Sequence, residues 1–346
     1  MKKFFSLLVL ALSLIFTENK LAAQDFENAG AYMSFIGKQH QTIAKRFLAY
    51  NSASSHGKKA KKVETLKAKL LDEIQESRMN ISGMPAFEKD KAYRDSAVSF
   101  MKLYYNALNE DYSKIVNMEE IAEQSYDLME AYLLAKEMVD KKMDDASAAL
   151  HAAQKQFAAT HNINLINSTD EIGEMMKKVN ETSNYYSPIY LIFFKSFKQE
   201  AYMIDAISKK NINGIEQNKN SLLQFSQDGL VKLAKISSFQ GDNSLLSNCK
   251  RILEFYITEA TEKIPAVSDY FLKQEAFEKM NKDFEKKSSP TADEVATFNR
   301  AVKEINNAVK TYNTNNNFLN QSRSGLLNNW NSAVDAYFDN HMPTYN

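Results

Sequence analysis

From Tyr32 to Phe338 apolar side chains return every three or four positions, with few breaks. That is the period of an α-helix, which gathers residues i, i+3, i+4 and i+7 on one face. Sheet folds and phosphate-binding loops spend glycine on turns. This chain has 9 Gly and 5 Pro in 346 residues. It therefore reads as all-α, with long antiparallel helices joined by few turns. Pro85, Pro188, Pro265, Pro290 and Pro343 are each expected near a helix end.

The stripes are explicit. Tyr32, Phe35, Ile36, Ile43, Phe47 and Tyr50 make the first, which the polar stretch Asn51 to Gly57 is expected to break. Val63, Leu66, Leu70, Ile74 and Ile81 make a second, and Tyr93, Ala97, Phe100, Met101, Tyr104 and Leu108 a third. A fourth helix is expected from about Ser113 to Ala159. Residues 161–187 are rich in Asn, Ser and Thr, which reads as a linker holding a short helix near Glu171–Val179. From Pro188 to Ile207 the chain is apolar on most sides, the mark of a buried central helix. Val295, Phe298, Val302, Ile305, Val309 and Tyr312 then keep the 3-4 spacing of a coiled-coil seam. The expected division is 24–160 and 188–346, two helical bundles on either side of the linker.

The bundles look related. At an offset of 152, Phe87 matches Phe239, Asp90 matches Asp242, Tyr104 matches Tyr256 and Glu110 matches Glu262. A period of about 150 residues is a domain, not a solenoid repeat of 20–50. The sequence predicts two pseudo-repeated bundles.

Residues 1–23 read as a secretory signal. Lys2 and Lys3 precede an apolar run from Phe4 to Phe16, too short for a span of about 20 residues, and Ala23 offers a small residue for cleavage. Removing 1–23 takes away Lys2, Lys3, Lys20 and Glu18 and leaves 40 basic and 42 acidic residues. An exported protein is expected, periplasmic or on the outer surface, with no transmembrane segment in the mature chain. The near-neutral balance gives no electrostatic case for nucleic acid. The single cysteine, Cys249, excludes an intramolecular disulfide.

Several chemistries lack their residues. None of His40, His56, His151, His161 and His341 has Glu three positions before it, so the usual di-iron bundle motif is missing. HExxH, GxxxxGK[ST] and GxSxG are absent too. No cofactor is expected, and no catalytic or metal-binding residue is assigned.

Four features remain as binding candidates. Glu119, Glu123, Asp127 and Glu130, spaced 4, 4 and 3, form an acidic ladder, with no Lys or Arg from Ile115 to Ala135. Like charges at i,i+4 repel mildly, so the ladder faces water, a basic neighbour or a ligand. Lys195 and Lys198, with Glu200, lie on the apolar helix after Pro188, where a buried lysine needs a partner or a route to the surface. The ladder is the partner we favour. His56, Lys58, Lys59, Lys61 and Lys62 make a basic stretch, either a solvated helix start or a surface for anionic envelope lipid or glycan. Tyr104-Tyr105 and Tyr185-Tyr186 either fill the core or stack on sugars or peptides.

The runs Asn117-Met-Glu-Glu-Ile-Ala-Glu-Gln-Ser-Tyr-Asp-Leu-Met-Glu-Ala-Tyr132 and Tyr190-Leu-Ile-Phe-Phe-Lys-Ser-Phe-Lys-Gln-Glu-Ala-Tyr202, with the segment from Gly83-Met-Pro85 to Asp95-Ser96, resemble a family of exported helical surface proteins of unknown function from Bacteroidetes and spirochaetes. The resemblance implies export and an all-helical fold, and supplies no reaction. The expected function is non-enzymatic binding of a partner protein or envelope component through helix faces. The alternative is a ligand-binding protein or carboxylate-based enzyme with a pocket between the halves. A purely structural spacer is a third class.

Overall fold

A computed structural model describes residues 26–111, 126–165 and 170–345, with the backbone alone for 110–111, 126–137 and 140. Among these residues the fold is all-α: α1 Ala29–Ser55, α2 Ala60–Ser82, α3 Ala92–Asn106, α4 Tyr126–Thr160, α5 Glu171–Ser208, α6 Ile212–Leu233, α7 Ser244–Thr258, α8 Ile264–Glu285 and α9 Ala292–His341. Five-residue π-helical turns, Ala107–Asp111 and Glu259–Lys263, directly follow α3 and α7. No helix of the described residues is long and apolar enough to cross a membrane. The expected signal, 1–23, lies outside the described residues. The chain divides into two compact units, Met1–Tyr185 with Tyr337–Asn346, and Tyr186–Ala336.

In the first unit α1, α2, α3 and α4 pack each against the next. Tyr32, Ile36, Ile43, Phe47 and Tyr50 turn inward from α1, Leu70, Ile74 and Ile81 from α2, and Tyr93, Ala97, Met101 and Tyr104 from α3. Tyr32 stacks on Phe157 of α4 at 5.3 Å between centroids, and its hydroxyl donates to the Pro85 carbonyl at 3.1 Å. The break expected in the stretch Asn51 to Gly57 falls within it, after Ser55. Helix α1 runs through Asn51 and Ser52 first, where the end of the chain covers its polar last turn. Asn51 reaches the Met342 sulfur at 3.3 Å, and Ser52 Oγ accepts from the Tyr345 amide at 3.0 Å.

Two prolines depart from expectation or explain a detail. Pro188 stands inside α5 rather than near an end, so from Glu171 onward the expected linker is the first half of one long helix. An interior proline forfeits a hydrogen bond and costs about 3 kcal/mol. Val179, Tyr186, Ile189 and Phe193, buried on either side of it, each return roughly 1.5–3 kcal/mol. Pro265 opens α8 directly after the π turn 259–263. Its missing N–H and crowding ring cannot continue the ordinary ladder at that point, and the wider turn relieves the clash.

In the second unit Leu222 and Leu233 of α6 and Leu245, Cys249, Ile252 and Leu253 of α7 form the core with Ile189, Phe193 and Met203 of α5. Gly229 permits the close approach of α6. A Cβ there would lie 3.1 Å from both Ile192 Cγ2 and Leu253 Cδ1. Phe193 stacks on Trp330 of α9 at 4.5 Å.

Helices α8 and α9 form an antiparallel hairpin whose register is fixed by rings. Tyr270 stacks on Tyr312 at 4.6 Å, and Phe284 on Phe298 at 4.3 Å. Both partners move by fourteen residues, two heptads, between these pairs. The α9 start is secured by a capping box: the Glu294 amide donates to Thr291 Oγ1 at 3.3 Å, and the Thr291 amide to Glu294 Oε2 at 2.8 Å.

Local geometry recurs between the units. Phe87 and Asp90 exchange backbone hydrogen bonds across a turn with Glu88 and Lys89 at positive φ, and Asp90 then caps α3 through the Ala92 amide. Phe239 and Asp242 do the same across Gln240 and Gly241, and Asp242 caps α7 through Ser244. Each cap leads into a 15-residue helix and a five-residue π turn.

Candidate functional site

The second unit buries a cluster of charge. Glu200 from α5 and Glu259, first residue of the π turn, are each 1% exposed. Arg323 of α9 joins them: Nε donates to Glu200 Oε1 at 2.5 Å and Nη2 to Glu259 Oε1 at 2.7 Å, while Nη1 donates to Asn320 Oδ1 at 2.8 Å. One guanidinium cannot neutralise two carboxylates. Burial, then the charge of Glu200, push the Glu259 carboxyl up to about 9 against the pull of Arg323. At neutral pH Glu259 therefore keeps its proton beside the guanidinium. Glu259 Oε2 and the Tyr256 hydroxyl are buried against the same groups without a well-formed hydrogen bond. Burial and Glu200 also push the Tyr256 hydroxyl well above its usual range.

The cluster ties α5, α7, the π turn and α9 together. Arg323 occupies both acids, so they do not face each other across a space for substrate. Glu200 belongs to the group singled out in the sequence, but its partners do not. The signal for them was present: Glu259 follows Tyr256 by three, and Arg323 follows Leu319 by four, so both charges sit on apolar stripes.

A second feature lies towards the connected ends of α8 and α9. A groove of about 550 Å³ runs between the helices, with Ala276, Met280, Phe284 and Phe298 along it and Lys279, Asp283, Asp293, Glu294 and Lys287 around it. Lys287 pairs with Glu294. That ion pair, followed by the Thr291 amide, holds the Glu294 carboxyl down to about 2. No residue between Phe271 and Ala308 is buried. Val295 and Leu272, both large and apolar, are 37% and 54% exposed. The groove contains no histidine or cysteine, so its chemistry is that of contact with apolar side chains between charged edges.

The other sequence candidates fall as follows. Glu119 and Glu123 lie outside the described residues. Asp127 and Glu130 lie in α4 where the backbone alone is described. Lys195 and Lys198 are half-buried on α5, with the Lys195 ammonium 4.2 Å from the Phe225 ring centre and that of Lys198 5.7 Å from Phe194. Each ring offers its negative face to the cation. Tyr104 and Tyr186 are buried, while Tyr105 and Tyr185 are half-buried. Cys249 is buried, and burial pushes its thiol up to about 12, which makes it a poor nucleophile. Among the described residues no group of three or more His, Cys, Asp or Glu side chains is placed to hold a metal ion. Comparison with family models, with curated proteins and with solved structures finds no match to this chain.

Proposed function

We propose that this is an exported, non-enzymatic helical protein of the cell envelope that binds a partner protein by helix-face recognition, with the α8–α9 hairpin as the seat. One observation carries the reading: a two-helix hairpin keeps a heptad of aromatic residues, yet buries no residue from 272 to 307 and leaves an apolar groove open beside the seam. A partner helix laid there would bury Met280, Phe284 and Phe298 and find charges of both signs at the edges. Export rests on the signal-like residues 1–23 and on the resemblance to exported surface proteins. The two-unit chain derives from duplication of one bundle, a reading supported by the recurrence of turn, cap, helix and π turn at an offset of 152.

The test compares the envelope proteins retained by the chain with those retained by Met280→Glu and by Phe298→Glu, with thermal melting as the control for folding. A partner lost on both substitutions, with melting unchanged, supports the groove. An unchanged set of retained proteins overturns it. A second reading, carboxylate chemistry at Glu259, is favoured only by its raised pKa. It would require Glu259→Gln to abolish an activity while Arg323 stays paired to Glu200.

A further inference from the structure

The corner between α1 and α2 is a basic surface. Lys58 to Lys69 contains six lysines and one acid, Glu64, in a chain whose totals are 43 and 43. Lys58, Lys59, Lys61, Lys62 and Lys69 are exposed. None of these five has an ion pair with a described residue. The fold does not ask for this arrangement. Helix α2 begins at Ala60 with no side-chain cap and no acid in its first turn, so the lysines crowd the positive end of the helix dipole. Helix α9 spends Thr291, Asp293 and Glu294 at the same position to the opposite effect.

We propose that this corner adsorbs to an anionic lipid bilayer. Three features select that occupant. All six cations are lysine, a point charge on a flexible stem, and not the arginine fork that grips a single phosphate in fixed geometry. No aromatic residue occurs from Gly57 to Ser82, so no platform for stacking nucleic-acid bases is interleaved with the charge. Gly57, at φ +63°, turns the chain just before Lys58, and the four lysines that follow it at 58, 59, 61 and 62 are all exposed, open to an extended surface. Within this exposed run no large apolar side chain points out, so the attachment is electrostatic and at the level of the headgroups.

The experiment floats the exported chain with vesicles of phosphatidylcholine alone and of phosphatidylcholine with phosphatidylglycerol, at low and high salt. The chain should bind only the anionic vesicles, and salt should release it. Replacing Lys58, Lys59, Lys61 and Lys62 together by Gln should weaken binding by about fivefold per lysine, several hundredfold in all. Replacing the same four by Arg should restore it. Melting of the Gln variant should not fall, since it removes repulsion at the helix start. Equal binding to neutral vesicles, no vesicle binding at all, or undiminished binding by the Gln variant overturns the proposal. Binding to a soluble polyanion such as heparin without binding to vesicles also overturns it. The hairpin is a separate site: Met280→Glu and Phe298→Glu should leave vesicle binding intact, so the two readings fail independently.

Discussion

The buried cluster makes a sharp prediction because its three members should respond differently to removal of charge. Replacing Arg323 by Met keeps much of the side-chain bulk but deletes two charge-assisted hydrogen bonds, at 2.5 and 2.7 Å, to acids that are each 1% exposed. Such bonds contribute about 1.5–3 kcal/mol each, and breaking a buried pair by removing one partner costs about 3–5 kcal/mol. Glu259→Gln should cost under about 1 kcal/mol, because an amide has nearly the shape of the acid that is already uncharged at neutral pH. Its effect should also depend on pH. A carboxyl raised to about 9 in the fold holds a proton that the unfolded chain has released above its ordinary value near 4.5. Stability should therefore fall as pH rises between those values, by up to about 1.4 kcal/mol per pH unit from this group. Denaturant unfolding of the parent, Glu259→Gln and Arg323→Met between pH 7 and pH 8.5 measures all three effects. The Gln variant should lose the slope and overtake the parent at the alkaline end. A Glu259→Gln cost equal to that of Arg323→Met, or an unchanged slope, would refute the assignment of the proton to Glu259.

Other outcomes follow from the same structure. Gly229→Ala brings a methyl group to 3.1 Å from Ile192 and Leu253, and chemical denaturation should show a loss of about 1–3 kcal/mol. His40 is buried, and burial, then the neighbouring His151, push its imidazole down to about 4. The folded state thus binds fewer protons than the unfolded state between about 6.5 and 4, and the protection of α1 amides, taken relative to their intrinsic exchange rates at each pH, should fall as pH falls through that window, whereas His40→Phe should not show the change. Phe284→Ala removes the 4.3 Å stack on Phe298, which should cost about 0.5–1.5 kcal/mol beyond the lost burial and raise exchange in α8 and α9 more than in α6.

Helices were readable in the sequence because the 3.6-residue period is a local property, enforced wherever a face must be buried. Their ends were less so. The stretch Asn51 to Gly57 marked the end of α1, but which of its residues still lie in the helix depends on the distant Met342 and Tyr345, which cover Asn51 and Ser52. Pro188 looked like a start because a local rule cannot weigh the burial flanking it. The cluster was half legible. Glu200 was singled out, whereas Glu259 and Arg323 were not, although both are charges on apolar stripes; which acid meets which base depends on helices more than sixty residues apart. The hairpin groove was foreshadowed by the 295–312 seam, whereas its openness is a matter of what does not pack over it.

The first unit is discontinuous, since Tyr337–Asn346 belongs to it although all of Tyr186–Ala336 intervenes. The ribosome therefore delivers the piece that shields the last turn of α1 only after the whole second unit has been made. Until then the earlier unit lacks the backbone partner for Ser52 and the sulfur against Asn51.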